Sequence, residues 1–162
     1  MTQYKRPVSV LVLIYTTCAH GEPEVLLLER ADHPGYWQSV TGSVEAHEEL
    51  AQTAVREVRE ETGIDAAQHE LRDSRIENHY EIYPQWRHRY APGVTQNVEH
   101  VFTLRLMHKA QVTLSAREHL QYGWWPWREA AQRVFSPSNR EAILKLAAEQ
   151  CHAGGERRMG NG

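Results

Sequence analysis

Three glutamates, Glu57, Glu60 and Glu61, fall within five residues of one another. On a helix, spacings of three and four turn side chains toward one patch, where like charges repel. A solvated face tolerates that repulsion. The chemistry it suits is the binding of a hard divalent cation such as Mg²⁺, which takes oxygen ligands and can hold phosphate on its far side. At about 100° per residue, Ala51, Ala54, Val55 and Val58 share one arc, and the three acids run along its edge. The acids are therefore expected to border the core.

The neighbouring residues imply the elements that position these acids. Thr62-Gly63 supplies a stop, since glycine after a helix can adopt the left-handed conformation that closes it. Upstream, Trp37 to Thr41 reads as a short strand, and Gly42 permits a sharp turn into the loop Ser43 to His47. Further strands are expected at Val8 to Tyr15, Val25 to Leu28, Arg75 to Tyr83, Val98 to Leu106 and Gln121 to Trp125, with a turn at Gly21-Glu22-Pro23. Trp127 to Val134 suggests a short helix. Ser138 to Glu141 has the form of a capping box before Ala142, Ile143, Leu146 and Ala147, whose spacing indicates an amphipathic helix.

The chain has 162 residues, 41% hydrophobic and 24% charged, which suits one globular domain over residues 1–150. Residues 151–162 are glycine-rich without a core pattern and read as a disordered tail. A net charge of −3 argues against a sequence-independent nucleic-acid binder, and a polyphosphate ligand would need locally placed cations. Cys18 and Cys151 lie near opposite ends of the chain without metal-ligand spacing, so neither a disulfide framework nor a zinc motif follows. The apolar run Val8 to Tyr15 is short and lacks a convincing cleavage site after it, and no other run approaches membrane-spanning length. A cytoplasmic setting is expected.

Gly42, Glu48, Arg56-Glu57, apolar Val58, Glu60-Glu61, Gly63 and apolar Ile64 together fill every defined position of a known motif. The segment resembles the signature box of the Nudix hydrolases. That resemblance implies an α/β/α sandwich with a mixed β-sheet between helices, and hydrolysis of a nucleoside diphosphate derivative or related polyphosphate. It also implies Mg²⁺, with Mn²⁺ as a substitute, to neutralise and orient the phosphates. Glu57 and Glu61 are the first choices as ligands, with Glu60 a third ligand or a partner behind them. Arg56 would orient a carboxylate, unless it is simply a solvated helix charge.

Outside the box, Tyr4 to Ser9, Trp37 to Glu45, Arg87 to Thr95, Glu118 to Leu120 and Ser138 to Arg140 resemble one bacterial branch of that family, the dihydroneopterin triphosphate pyrophosphohydrolases of folate synthesis. This likeness implies Glu118 as a ligand from a separate loop. It also points to Lys5, Arg30, Thr41, Tyr80, Glu81, Ile82, Tyr83 and Ser136 as substrate contacts. Lys5 and Arg30 could neutralise phosphate, Thr41 could donate its hydroxyl, and Tyr80 or Tyr83 could lie against a flat ring. Strand-end charges and half-buried sheet aromatics are the plain alternatives. Arg87 to Gly93 could be a lid, a subunit interface or a loop held by acidic neighbours. His119 could move a proton, but the chain carries 10 histidines, most of which should serve at the surface or in hydrogen bonds. Trp124, Trp125 and Trp127 are expected in a core or interface. The activity implied is cleavage of 7,8-dihydroneopterin triphosphate to the monophosphate and pyrophosphate. A broader nucleoside triphosphate pyrophosphohydrolase and a non-catalytic module that binds a nucleotide or pterin are the alternatives. No nucleic-acid polymer or membrane partner is expected.

Overall fold

Strand β1 (Val8–Thr17) is buried along most of its length, so both of its faces must be covered. Its alternate residues divide between two cores. Val10, Val12 and Ile14 lie with Leu26, Leu28, Ala54 and Val58 on one side, and Leu13 and Tyr15 with Val25, Leu27, Ala130 and Ile143 on the other. The computed structural model describes residues 3–18 and 20–159, with side chains to residue 150. Helix α1 (Leu50–Thr62) covers the first face, and α2 (Trp127–Arg133) and α3 (Pro137–Met159) cover the second. The outcome is the expected sandwich of helices around a mixed sheet. The expected tail, 151–162, lies outside the residues whose side chains are described.

Besides β1, the sheet contains β2 (Pro23–Arg30), β3 (Trp37–Gln38), β4 (Val40–Ser43), β5 (Glu70–Glu81), β6 (Gln96–Arg105) and β7 (His119–Pro126). Strand β1 runs parallel to β6 on one edge. On its other edge it pairs with β2 near Tyr15 and with β4 near Leu11, both antiparallel. β1 and β2 therefore diverge, and β3–β4 fills the gap between them. The single strand expected at Trp37 to Thr41 is split at Ser39, because Trp37-Gln38 pairs with β2 and Val40 to Ser43 with β1. Buried Ser39 is held where the partner changes, its N–H donating to Asn139 Oδ1 at 2.9 Å and its Oγ accepting from Asn139 Nδ2 at 3.0 Å.

Two expectations about helices need correction. Ala51 is exposed, and the buried stripe of α1 runs instead through Ala54 and Val58 with Thr53 and Glu61. Helix α3 starts one residue before Ser138, with Pro137 at the first helical position, where its missing N–H costs nothing. Ser136 Oγ accepts from the Asn139 N–H at 3.4 Å and caps the helix, which frees the Ser138 hydroxyl for another partner. Gly63 closes α1 as expected, with φ 77° and its N–H on Arg59 O at 2.8 Å. Trp124, Trp125 and Trp127 pack against the two cores. Among the described residues no helix is long and apolar enough to cross a membrane.

Candidate active site

The loop between β4 and α1 is bound to the helix by one arginine. Arg56 sends Nε to Glu48 Oε2 at 2.8 Å and Nη2 to Glu48 Oε1 at 2.9 Å, a two-pronged pair of the strong charge-assisted kind. Its Nη2 also reaches Ser43 O at 3.0 Å, while Nη1 donates to Glu57 Oε1 at 2.8 Å and Glu60 Oε2 at 3.3 Å. Arg56 is thus an organiser of carboxylates rather than a solvated charge. The pairing holds the Glu48 carboxyl down at about 2. A Cβ on Gly42 would overlap the Glu57 carboxyl group where it now lies, so the glycine leaves room for that carboxyl position.

Glu57 and Glu61 lie where burial penalises their charge. The Glu57 carboxyl is pushed up to about 7 by burial, against the pull of Arg56, with Glu60 and Glu118 adding like charge. Glu61 is 3% exposed and is raised well above the usual carboxylate range by burial, then by Glu57 and Glu118. The Thr41 N–H steers Glu61 by donating to Oε2 at 3.2 Å. Glu118 arrives from the turn before β7, its N–H on Ser115 O and its carbonyl accepting from Ala31 N. Glu61, Glu118 and His119 offer ligand atoms all within 4.8 Å of one another. Buried Glu61, half-buried Glu57 and exposed Glu118 repel one another across a small gap, with Arg56 answering only Glu57 of the three, and such oxygen donors are the set a hard divalent ion requires, so these residues fit one.

The grouping differs in detail from the sequence expectation. His119 joins the cluster, its Nε2 3.5 Å from Glu61 Oε1 and its buried Nδ1 without a partner among the described residues. Burial and nearby Arg30 hold its imidazole down at about 4, so near neutral pH it is uncharged. Glu57 stands beside this trio, bound to Arg56, and Glu60 is more exposed and, among the described residues, hydrogen-bonds to Arg56 alone.

A cleft of about 1410 Å³ runs from these acids across the sheet to the start of α3. Lys5, Arg30, Thr41, Tyr80, Glu81, Ile82, Tyr83 and Ser136 all line it, yet several are engaged differently from expectation. The Thr41 hydroxyl is spent on Val10 O at 3.0 Å, so only its main chain serves the site. Arg30 grips Asp32 through Nε and Nη2, each at 2.7 Å, and Gln38 through Nη1, while its guanidinium lies 4.5 Å above the Trp86 ring. The Tyr80 hydroxyl accepts from Asn97 Nδ2 at 3.1 Å. Ile82 is buried, whereas Glu81 is exposed and 3.9 Å from Arg87. Lys5 reaches over the cleft with its ammonium held below its ordinary range by loss of solvent and by Arg89.

The loop of Arg87 to Gly93 divides its arginines. Arg87 Nε braces Ile82 O at 3.1 Å, and Arg89 lines the cleft with Nη2 3.1 Å from Asp32. Sequence reasoning missed Trp86 and Phe135, which with Tyr83 form an aromatic wall with ring centres 5.3–6.2 Å apart. Trp86 sits in the turn that Tyr83 opens and Phe135 lies on a distant segment, so no local pattern could have marked the wall as a unit.

A family profile described as the NUDIX domain matches residues 5–146. The chain belongs to the NUDIX family. As a NUDIX protein it is 50% identical over 142 residues to an Escherichia coli protein named dihydroneopterin triphosphate diphosphatase, covering 86% of this chain and 91% of that one. A Haemophilus influenzae protein of the same name is 40% identical, covering 90% of each. The solved structure of the E. coli dihydroneopterin triphosphate pyrophosphohydrolase superposes with a TM-score of 0.82 at 47% identity, covering 90% of this chain and 98% of that one.

Proposed function

We propose that this NUDIX enzyme hydrolyses 7,8-dihydroneopterin triphosphate to the monophosphate and pyrophosphate with Mg²⁺, for which Mn²⁺ can substitute. The observation that carries the reading is one cleft with a cluster of acids at one end, cations along its side and an aromatic wall, in a chain 50% identical to a relative bearing that activity's name. Glu57, Glu61 and Glu118 would hold the cation, with Glu60 behind them. The ion would neutralise phosphate charge and set the oxygens for attack. Water forms a new bond to phosphorus and gives up a proton to solvent, the bridging P–O bond breaks, and pyrophosphate leaves with its electron pair.

The chain's own residues prepare that step. Arg56 holds Glu57 in place and neutralises part of the acidic cluster, and the Thr41 N–H fixes Glu61. Lys5 and Arg89 line the cleft on the side where a triphosphate needs cations. Trp86, Phe135 and Tyr83 offer flat faces to a ring. Cytoplasmic folate synthesis is the setting this substrate implies.

The test compares turnover of dihydroneopterin triphosphate with that of dGTP, dATP, a dinucleoside polyphosphate and ADP-ribose under Mg²⁺. The highest kcat/KM is expected for the pterin. Faster turnover of any nucleotide would assign the enzyme to the broader nucleoside triphosphate class, and binding without pyrophosphate release would make it a non-catalytic module.

A further inference from the structure

One buried acid in the cleft has no place in phosphate chemistry. Glu99 on β6 is 4% exposed and lines the cleft. It stands opposite Ser9 of β1 and Asn78 of β5 in the sheet. Its Oε1 accepts from Ser138 Oγ at 2.8 Å and Asn78 Nδ2 at 3.3 Å. Among the described residues Oε2 has no hydrogen bond, and no Lys, Arg or His forms an ion pair with Glu99. Burial raises its carboxyl above the ordinary range, opposed only by the two neutral donors.

The surroundings are built to keep it there. β5 carries a bulge between Asp73 and Ile76, with Arg75 at φ 56° and its N–H on Asp73 Oδ1 at 2.8 Å. Beyond the bulge, Asn78 faces Glu99 and Tyr80 faces Asn97. On the other side Ser138 belongs to the first turn of α3, fixed by the Ser136 cap and by Asn139 on Ser39. The carboxylate is therefore preorganised from two elements.

A fixed carboxylate repels phosphate, and with Oε1 taken by Ser138 and Asn78, Oε2 is the oxygen left to accept N–H donors, two of which its lone pairs can take side by side. A 2-amino-4-oxopyrimidine ring, shared by pterin and guanine, presents that pair as its ring N–H and exocyclic amino group. Adenine presents an unprotonated ring nitrogen beside its amino group, and two acceptors would then face each other. We propose that Glu99 is a specificity-determining residue that reads the amino–imino edge of the substrate ring, an inference that rests on the proposed pterin activity. It selects 2-amino-4-oxopyrimidine rings over adenine and leaves the discrimination of pterin from guanine to the aromatic wall.

The full chain and its Glu99→Gln variant should be compared on dihydroneopterin triphosphate, dGTP and dATP under Mg²⁺. KM for the pterin and for dGTP should rise about tenfold or more, with kcat held within about threefold and dATP unaffected or improved. Ser138→Ala, which loosens Glu99 without removing it, should give a smaller rise in the same two KM values. An unchanged KM for both, or an equal loss on all three substrates, overturns the assignment. If Glu99→Gln does not fold, Ser138→Ala decides alone, and no KM change there counts against it. If the wild type instead prefers a nucleotide, the pterin reading fails, while the dGTP-to-dATP ratio in the variants still tests Glu99.

Discussion

The two ends of the cleft each hold a buried carboxylate that no Lys or Arg among the described residues pairs with, but their neighbours differ. Glu61 has Glu57 and Glu118 beside it, so its environment is one of like charge. Glu99 has only a hydroxyl and an amide. A cluster of repelling acids is relieved by a divalent cation. A lone acid held by neutral donors is relieved by further neutral N–H groups. On the proposed reading one fold uses buried carboxylates in two ways, general toward the phosphate chain and selective toward the ring.

Changes at the acidic end should act on every substrate, and the largest is expected from Glu61→Gln. Removing a ligand charge should lower kcat/KM by roughly 10³-fold on pterin and nucleotide alike. A loss confined to one substrate would erase the contrast between the two ends. Gly42→Ala comes next. The added Cβ must displace the Glu57 carboxyl, so kcat should fall on the order of 10²-fold in a protein that still folds. Steady-state kinetics beside a circular dichroism melt separate misplacement from unfolding. At the ring end, Trp86→Ala should raise KM for the pterin roughly fivefold with little change in kcat, through loss of a stacking face worth about 1 kcal/mol. A fall in kcat alone would move Trp86 to the phosphate side.

The smallest effect concerns the support beneath the acidic end. Glu48 titrates at about 2 in the fold against an ordinary 4.5, so its contribution is complete above about 4.5 and is lost as the pH falls toward 2. Glu48→Gln should therefore be less stable than wild type near neutral pH, with the gap closing in acid. Urea unfolding midpoints measured across that range check the sign. A gap that widens in acid would contradict the Arg56 pairing.

The acidic end was legible in the sequence because it is written in one run, from Gly42 to Ile64, with spacings that a helix turns into a patch. Glu118 was reached only through resemblance, because a single loop acid has no local signature. Thr41 and Arg30 show why side-chain roles are harder to read than positions. Both line the cleft, but the Thr41 hydroxyl bonds across the sheet to Val10 and the Arg30 fork is taken by Asp32. The ring end is assembled from β5, β6, the Trp86 turn and α3, which meet only through the sheet register and the β5 bulge. Glu99 in sequence is one glutamate inside a strand, and its burial depends on where Ser138 and Asn78 arrive.

Glu61 and its neighbours are proposed to form a site for a divalent cation. Thermal unfolding of wild type and Glu61→Gln near neutral pH, each with and without Mg²⁺, tests it directly. Without metal the variant should melt higher than wild type, because it no longer buries an ill-solvated charge. Added Mg²⁺ should raise the wild-type Tm by several degrees and leave the variant nearly unmoved. A wild type that melts above the variant without metal, or equal gains from Mg²⁺ in both, would contradict it.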